Sequence, residues 1–307
     1  MDLGTPIISE VRIDMFLVKN DLASIKSYFQ QQLPSFSKSE IDLMVKLLTC
    51  KRLIINENDY FLSKDILFSE SDLLYFRNVV KRMQRNEPFQ YILGEVEFYG
   101  VLLKIDERAL IPRPETEELV DWIVDSLPND SYFSVVDLCA GSGCISFSLS
   151  SRYRNGRVTS VEYSAEAVKL IEENKQFTGL DVDVLEFDVL DKKAFPFQIN
   201  SFDCWVSNPP YIPEKDKDFM HPNVLEYEPE MALFVSNDDP LIFYREIAEN
   251  AKLYLKEGGW LYFEIHEELG DETIALLQNL NFVNIEMRKD LQGKNRMIRA
   301  QKSTLVA

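Results

Sequence analysis

The stretch FSVVDLCAGSGCISFSLSSRY, Phe133 to Tyr153, decides the fold. Its first six residues form a short apolar run, the length and character of a buried strand. A tight turn around Gly141 and Gly143 follows, and the chain then enters a helix. Strand, glycine turn and helix in that order open a parallel βαβ unit, and the alternation continues downstream. RVTSVE (157–162) is a second strand, ending at Glu162, and Ser164 caps a helix to about Thr178. VDVLEFD (182–188) and SFDCWVSN (201–208) are the third and fourth strands. The helix PLIFYREIAENAKLYL is expected to stop at Gly258-Gly259, before a fifth strand, WLYFEI (260–265). Helix LGDETIALLQNL precedes two closing strands, FVNIEM and RMIRAQ. These must be antiparallel, because KDLQGKN is too short for a crossover.

Upstream the pattern changes. Leu22, Ile25, Phe29 and Leu33 share one helical face. Ser37 with Glu40, and Ser69 with Asp72, have capping-box spacing ahead of apolar-periodic segments. A small helical domain therefore spans residues 1–88, closed by Pro88. FQYILGEVEFYGVLLKI predicts a β-hairpin from Gln90 to Ile105 within a linker, 89–110. Residues 111–307 form the second, larger domain. It opens with a helix near Pro114 that places Glu115, Glu117 and Glu118 at its positive end. The expected fold is α/β: a seven-stranded, mostly parallel, doubly wound sheet with an antiparallel last strand, plus the helical domain and the hairpin.

Composition narrows the function. With 46% hydrophobic residues the chain can bury sizeable cores. Residues 1–110 hold 14 basic against 16 acidic residues, leaving 19 against 35 for the remainder. So acidic a domain repels phosphate backbones, which argues against nucleic acid as a direct partner. Cys50, Cys139, Cys144 and Cys204 lack metal-site or disulfide spacing and read as reduced, buried hydrophobes of a cytoplasmic protein, with no metal. No apolar run approaches a membrane span, and the first 14 residues read as an extension rather than a signal peptide.

Open parallel sheets bind ligands beyond the carboxyl ends of their strands. Three of those ends carry unusual residues: Asp137 with the glycine loop, Glu162, and Asn208 with its prolines. Glycines in the loop let a ligand approach the backbone, although a bare strand-to-helix turn uses them too. Glu162 lies 19 residues after Gly143, where an acid can take both ribose hydroxyls of a nucleoside. Dinucleotide turns prefer a third glycine, yet Ser146 stands there, and no Gly-Lys-Ser/Thr cradle for phosphates occurs. A cofactor without a pyrophosphate fits better, and S-adenosylmethionine is the candidate. Asp188, ending the third strand, is placed for an adenine amine or, equally, for a helix cap.

VSNPPYIP, Val206 to Pro213, runs an apolar strand into an asparagine and two prolines. The prolines stop the ladder and hold Asn208 extended. Neither histidine, cysteine nor lysine adjoins Asn208 to act as base or nucleophile; what the segment offers is acceptors, the Asn208 side-chain oxygen and the Pro209 carbonyl. These suit a group with two N–H bonds, an amide or exocyclic amine, with Tyr211 stacking on its plane. Catalysis would then rest on positioning and electrostatic stabilisation. His221 and His266 read as surface or packing residues, and EKDKD, 214–218, as a solvated loop.

Together, PFQYILGEVEFYG, LIPRPETEELV, NPPYI, LEYEPEMAL and DLQGKNRMIRA are similar to the glutamine methyltransferases of translational release factors, the HemK/PrmC family of class I methyltransferases. The resemblance covers nearly all the chain from about residue 22. It implies S-adenosylmethionine at Cys139, Ala140, Gly141, Ser142 and Gly143, at Glu162 and at Val189; Asp188 and Asn208, at the ends of the third and fourth strands, complete the expected cofactor site. It implies that Asn208 and Pro209 hold the substrate glutamine, with Pro210 and Tyr211 beside it and Phe98 packing on it. The implied partners are peptide chain release factors, gripped in part by the N-terminal helices. Cys139 replaces a common glycine, which is tolerated only if that residue has an ordinary φ. Competing readings are an adenine-amine methyltransferase of DNA or RNA, a non-catalytic nucleoside-binding module, and a nicotinamide oxidoreductase.

Overall fold

A computed structural model describes residues 19–63, 65–127, 132–153 and 155–304. The reading of the first 14 residues lies outside them. The chain divides into two compact units, one running to Leu93 and the other from Gly94.

The first unit is helical: α1 (Leu22–Gln32), α2 (Lys38–Leu53), α3 (Glu57–Leu62), α4 (Glu70–Met83) and α5 (Phe89–Leu93). Both capping boxes form, Ser37 with Glu40 and Ser69 with Asp72. Each satisfies two backbone donors that a helix start leaves free. The short α3 was not expected; Ile54 ends α2 in the left-handed region and Asn56 caps the new helix two residues later. Ile25, Phe29, Ile41, Val45, Leu48 and Phe76 are fully buried between the helices. Phe76 meets Phe29 and Phe68 edge-on, at ring-centroid distances of 6.1 and 5.0 Å. Phe76→Ala is therefore expected to cost about 3–5 kcal/mol. Its measure is a lower urea midpoint for the loss of helical circular dichroism; an unchanged midpoint would mean that the helices do not depend on this contact.

The second unit begins with β1 (Glu95–Phe98) and β2 (Val101–Lys104), paired antiparallel. Tyr99 and Gly100 between them both take positive φ, as a two-residue hairpin turn requires. The hairpin is thus shorter than Gln90 to Ile105: Gln90 belongs to α5, whose Ile92 and Leu93 join the helical core. Nor is the hairpin a free linker, since β2 packs on helices of its own unit and buries Leu103.

There follow α6 (Pro114–Ser126), β3 (Ser134–Leu138), α7 (Cys144–Arg152), β4 (Arg157–Glu162), α8 (Ala165–Thr178), β5 (Asp183–Glu186) and β6 (Phe202–Ser207). After them come β7 (Ile212–Pro213), α9 (Pro222–Tyr227), β8 (Phe234–Val235), α10 (Ile242–Tyr254), β9 (Leu255–Glu264), α11 (Gly270–Asn279), β10 (Phe282–Lys289) and β11 (Asn295–Lys302). The main sheet has seven strands in the order β10-β11-β9-β6-β3-β4-β5. Only β11 runs antiparallel to its neighbours, as expected of the closing pair. α10 ends earlier than expected, because Leu255 is already extended; Gly258 and Gly259 lie inside β9, where its register against β6 shifts.

Adjacent residues of β3 point to opposite faces. Val135 joins a core with Trp122 of α6 and Phe147 of α7, while Val136 joins one with Tyr244 of α10 and Leu277 of α11. Helices thus cover both faces. From β3 the chain winds outward through β4 and β5, then returns to place β6 on the other side of β3. The carboxyl ends of β3 and β6 therefore flank the point where strand order reverses, the crevice in which such sheets bind ligands. No helix among the described residues is long and apolar enough to cross a membrane.

Candidate active site

A cavity of about 480 Å³ opens at that reversal point, within the range of small-molecule sites. It is built from the carboxyl ends of four strands and from the segments around Arg108–Thr116 and Pro229–Ser236.

The loop after β3 supplies Cys139, Ala140, Gly141 and Ser142 to the wall. Its backbone is left-handed at Cys139, Gly141 and Gly143, with φ of 58°, 57° and 80°. At Gly141 an added Cβ would meet nothing nearer than Ala109 Cβ at 4.0 Å, so the backbone faces open space. Gly143 has another task. A Cβ there would lie 2.8 Å from the Phe147 ring, so the glycine lets α7 pack closely, and the residue does not line the cavity. Cys139 departs from the expectation of an ordinary φ. A side chain in this region costs about 1–2 kcal/mol, held here by the surrounding loop.

Glu162, at the end of β4, is fixed by two backbone amides. Gly141 N donates to Oε2 at 2.9 Å and Ser164 N to Oε1 at 2.8 Å. Burial pushes its carboxyl up, and these donors pull it back. Each oxygen keeps a free lone pair for a further donor. Beyond β5, Asp188 and Val189 line the cavity between Phe187 and Leu190. Asp188 Oδ1 accepts from Leu190 N at 2.9 Å, so its carboxylate shapes a turn; among the described residues no helix follows for it to cap.

Beneath the loop, Asp137 is fully buried. Its Oδ2 accepts from Ser146 N and Oγ at 3.1 and 2.8 Å, while Oδ1 has no hydrogen-bond partner. Burial pushes this carboxyl up to about 7, against the pull of Ser146. An acid whose folded pKa lies above its unfolded value, about 3.9, binds more protons folded than unfolded between the two. Stability from this group is thus lost as pH rises from about 4 to 7. Urea midpoints measured at pH 5 and pH 8 should fall less in Asp137→Asn than in the wild type; equal falls would mean that Asp137 stays ionised throughout.

At the end of β6, Asn208 and Pro210 line the cavity, whereas Pro209 is buried without lining it. Asn208 Nδ2 donates to Thr116 Oγ1 at 3.1 Å. That hydroxyl donates to Glu264 Oε2 at 2.6 Å, and Tyr211 OH donates to Glu264 Oε1 at 3.0 Å. Glu264 ends β9 and is 1% exposed. Its burial pushes the carboxyl up; the Thr116 and Tyr211 hydroxyls and the Arg296 charge pull it down. Tyr211 is thereby turned to Glu264 and does not line the cavity, so it is not placed to stack on an acceptor there. Phe98 also departs from expectation. It is 1% exposed in the core with Leu103 and Trp122, because β1 pairs with β2 and turns that face inward.

Arg113, at the start of α6, lines the cavity and donates to Glu228 Oε1 at 2.6 Å, while Ile111 N donates to Glu228 Oε2 at 3.1 Å. Both oxygens of this buried carboxylate therefore hold the segment that follows α9 against the one that precedes α6. Thr116, Glu264, Arg113 and Glu228 escaped the sequence reading. One signal was available: Glu264 is a charged residue inside the apolar run WLYFEI.

Two family models match the chain, the PrmC N-terminal domain over residues 26–94 and the methyltransferase small domain over residues 120–226. The chain is 38% identical over 290 residues to the release factor glutamine methyltransferase of Flavobacterium psychrophilum, covering 92% of this chain and 98% of that one. It is 37% identical to the release factor glutamine methyltransferase of Bacteroides thetaiotaomicron, covering 91% and 99%. Among solved structures, the hMettl16 catalytic domain in complex with the MAT2A 3′UTR hairpin 6 aligns with a TM-score of 0.53 at 12% identity, covering 79% of this chain and 86% of that one. That likeness speaks to the fold.

Proposed function

The chain belongs to the release factor glutamine methyltransferase family, and from that premise we propose that it methylates the side-chain amide nitrogen of the glutamine in the Gly-Gly-Gln loop of peptide chain release factors, using S-adenosylmethionine. The observation that carries the reading is that Glu162 and the Asn208 carboxamide line one cavity at the sheet's reversal point.

The residues present fit the cofactor. The open backbone at Gly141 and the doubly anchored carboxylate of Glu162 suit a nucleoside with two ribose hydroxyls. Phe187, Val189, Leu190 and Phe243 supply an apolar wall for its base. When bound, S-adenosylmethionine contributes an electrophilic methyl group on a sulfonium. The protein's task is the other partner, an amide nitrogen whose lone pair is delocalised into its carbonyl. Asn208 Oδ1, which lines the cavity where Pro209 does not, is the acceptor that would take an N–H of that amide. This orients the nitrogen and stabilises the positive charge it gains on attack. No general base is required before attack: the methylated nitrogen, cationic and strongly acidic, gives up one N–H proton to water afterwards, which leaves the neutral N-methyl amide. Tyr211 takes part at one remove, by holding Glu264.

Release factors are the proposed partner, the cytoplasm the proposed compartment, and the acidity of the second unit disfavours nucleic acid. Purified protein incubated with labelled cofactor should label a release factor and leave DNA and RNA unlabelled. Label entering nucleic acid alone would replace this reading with the adenine-amine one.

A further inference from the structure

Resting on the function just proposed, we infer that Thr116 and Glu264 are positioning residues that fix which end of the Asn208 carboxamide faces the substrate. An asparagine side chain is nearly symmetric in shape, but its two ends are opposite in chemistry. The oxygen accepts and the nitrogen donates. Presented oxygen first, Asn208 can accept an N–H of a substrate amide. Presented nitrogen first, it sets donor against donor. The two orientations differ by a 180° flip that packing alone scarcely resists, so something polar must decide between them.

The deciding group lies at the far end of a short chain. A carboxylate can only accept, and both oxygens of Glu264 do so, Oε2 from the Thr116 hydroxyl and Oε1 from that of Tyr211. Thr116 has one hydroxyl proton. The 2.6 Å contact to Glu264 Oε2 commits that proton to the carboxylate. Only the lone pairs of Thr116 Oγ1 remain for Asn208, and a lone pair can be met only by a donor. The 3.1 Å partner must therefore be Nδ2, which turns Oδ1 away from Thr116. Polarity thus passes from Glu264 through Thr116 to Asn208, over side chains 148 and 92 residues apart in sequence. Thr116 lines the cavity beside Asn208, whereas Glu264 lies behind it, so the carboxylate acts only through the hydroxyls that it orders.

The test uses the full chain with release factor as substrate. Thr116→Val keeps the shape and deletes the acceptor; Thr116→Ser keeps the hydroxyl. Thr116→Val is expected to lower kcat about 10–100-fold, with KM for the release factor and Kd for S-adenosylhomocysteine within about threefold, the pattern of an interaction made in the transition state. Thr116→Ser should recover most of the rate. The double variant Thr116→Val/Asn208→Ala should be no slower than Asn208→Ala, because residues acting as one unit are not additive. Glu264→Gln, which can reverse the Thr116 hydroxyl, should also lower kcat by about tenfold or more, and it stands in if Thr116→Val is unstable. Independently of activity, the Asn208 side-chain amide protons should exchange with solvent more slowly in the wild type than in Thr116→Val. Near-normal kcat in Thr116→Val and Glu264→Gln, multiplicative losses in the double variant, or equal exchange would overturn the inference. Wild-type protein that labels no release factor would instead overturn the functional reading, and the exchange measurement would still decide the orientation.

Discussion

Asn208→Ala is expected to lower kcat for release-factor methylation by about 100–1,000-fold, the usual cost of deleting a preorganised polar group that meets charge developing in the transition state. Affinity for S-adenosylhomocysteine should change by less than about threefold, because the residues proposed to meet the nucleoside, Gly141 and Glu162, belong to the loop and β4, not to β6. The loss should be a loss of rate rather than of folding, since Asn208 is half-buried and its recorded side-chain bond is the one to Thr116. Single-turnover transfer beside calorimetric cofactor binding separates the two effects. Turnover near that of the wild type would remove Asn208 from the chemistry.

The second large effect falls on the opposite wall. Glu162→Ala is expected to raise the Kd for S-adenosylhomocysteine about 10–100-fold, the scale of losing about one charge-assisted hydrogen bond, about 1.5–3 kcal/mol. It also frees Gly141 N and Ser164 N from the carboxylate that now fixes both. The glycine loop should therefore become more mobile as well as less complementary. Glu162→Gln can still accept from one amide but sets its own NH2 toward the other, so an intermediate loss is expected. Unchanged affinity in both variants would withdraw the ribose assignment.

Local chemistry made much of the second unit readable in advance. The strand–helix alternation, the glycine turn, the acid closing β4 and the asparagine before two prolines are signals carried within a few residues, and each falls at the same edge of the sheet. What could not be read depends on distant partners. In the sequence Thr116 is part of a helix start rich in carboxylates; it becomes part of the site because β6 and β9 bring Asn208 and Glu264 to it. Phe98 and Tyr211 were expected to face the substrate, but whether a ring faces a cavity or a core depends on strand pairing and on a buried carboxylate. The left-handed φ of Cys139 belongs to the loop's path, which the neighbouring glycines share, and not to anything cysteine prefers.

The most direct measurement is to locate the transferred methyl by fragmentation mass spectrometry of a release factor after reaction with the purified chain. The expected result is one added methyl, on the side-chain amide nitrogen of the glutamine in the Gly-Gly-Gln loop, lost when that glutamine is replaced. A methyl found on a carboxylate, a lysine or another protein atom, or on adenine when nucleic acid is offered alongside, would contradict the assignment of Asn208 as the acceptor for a primary amide.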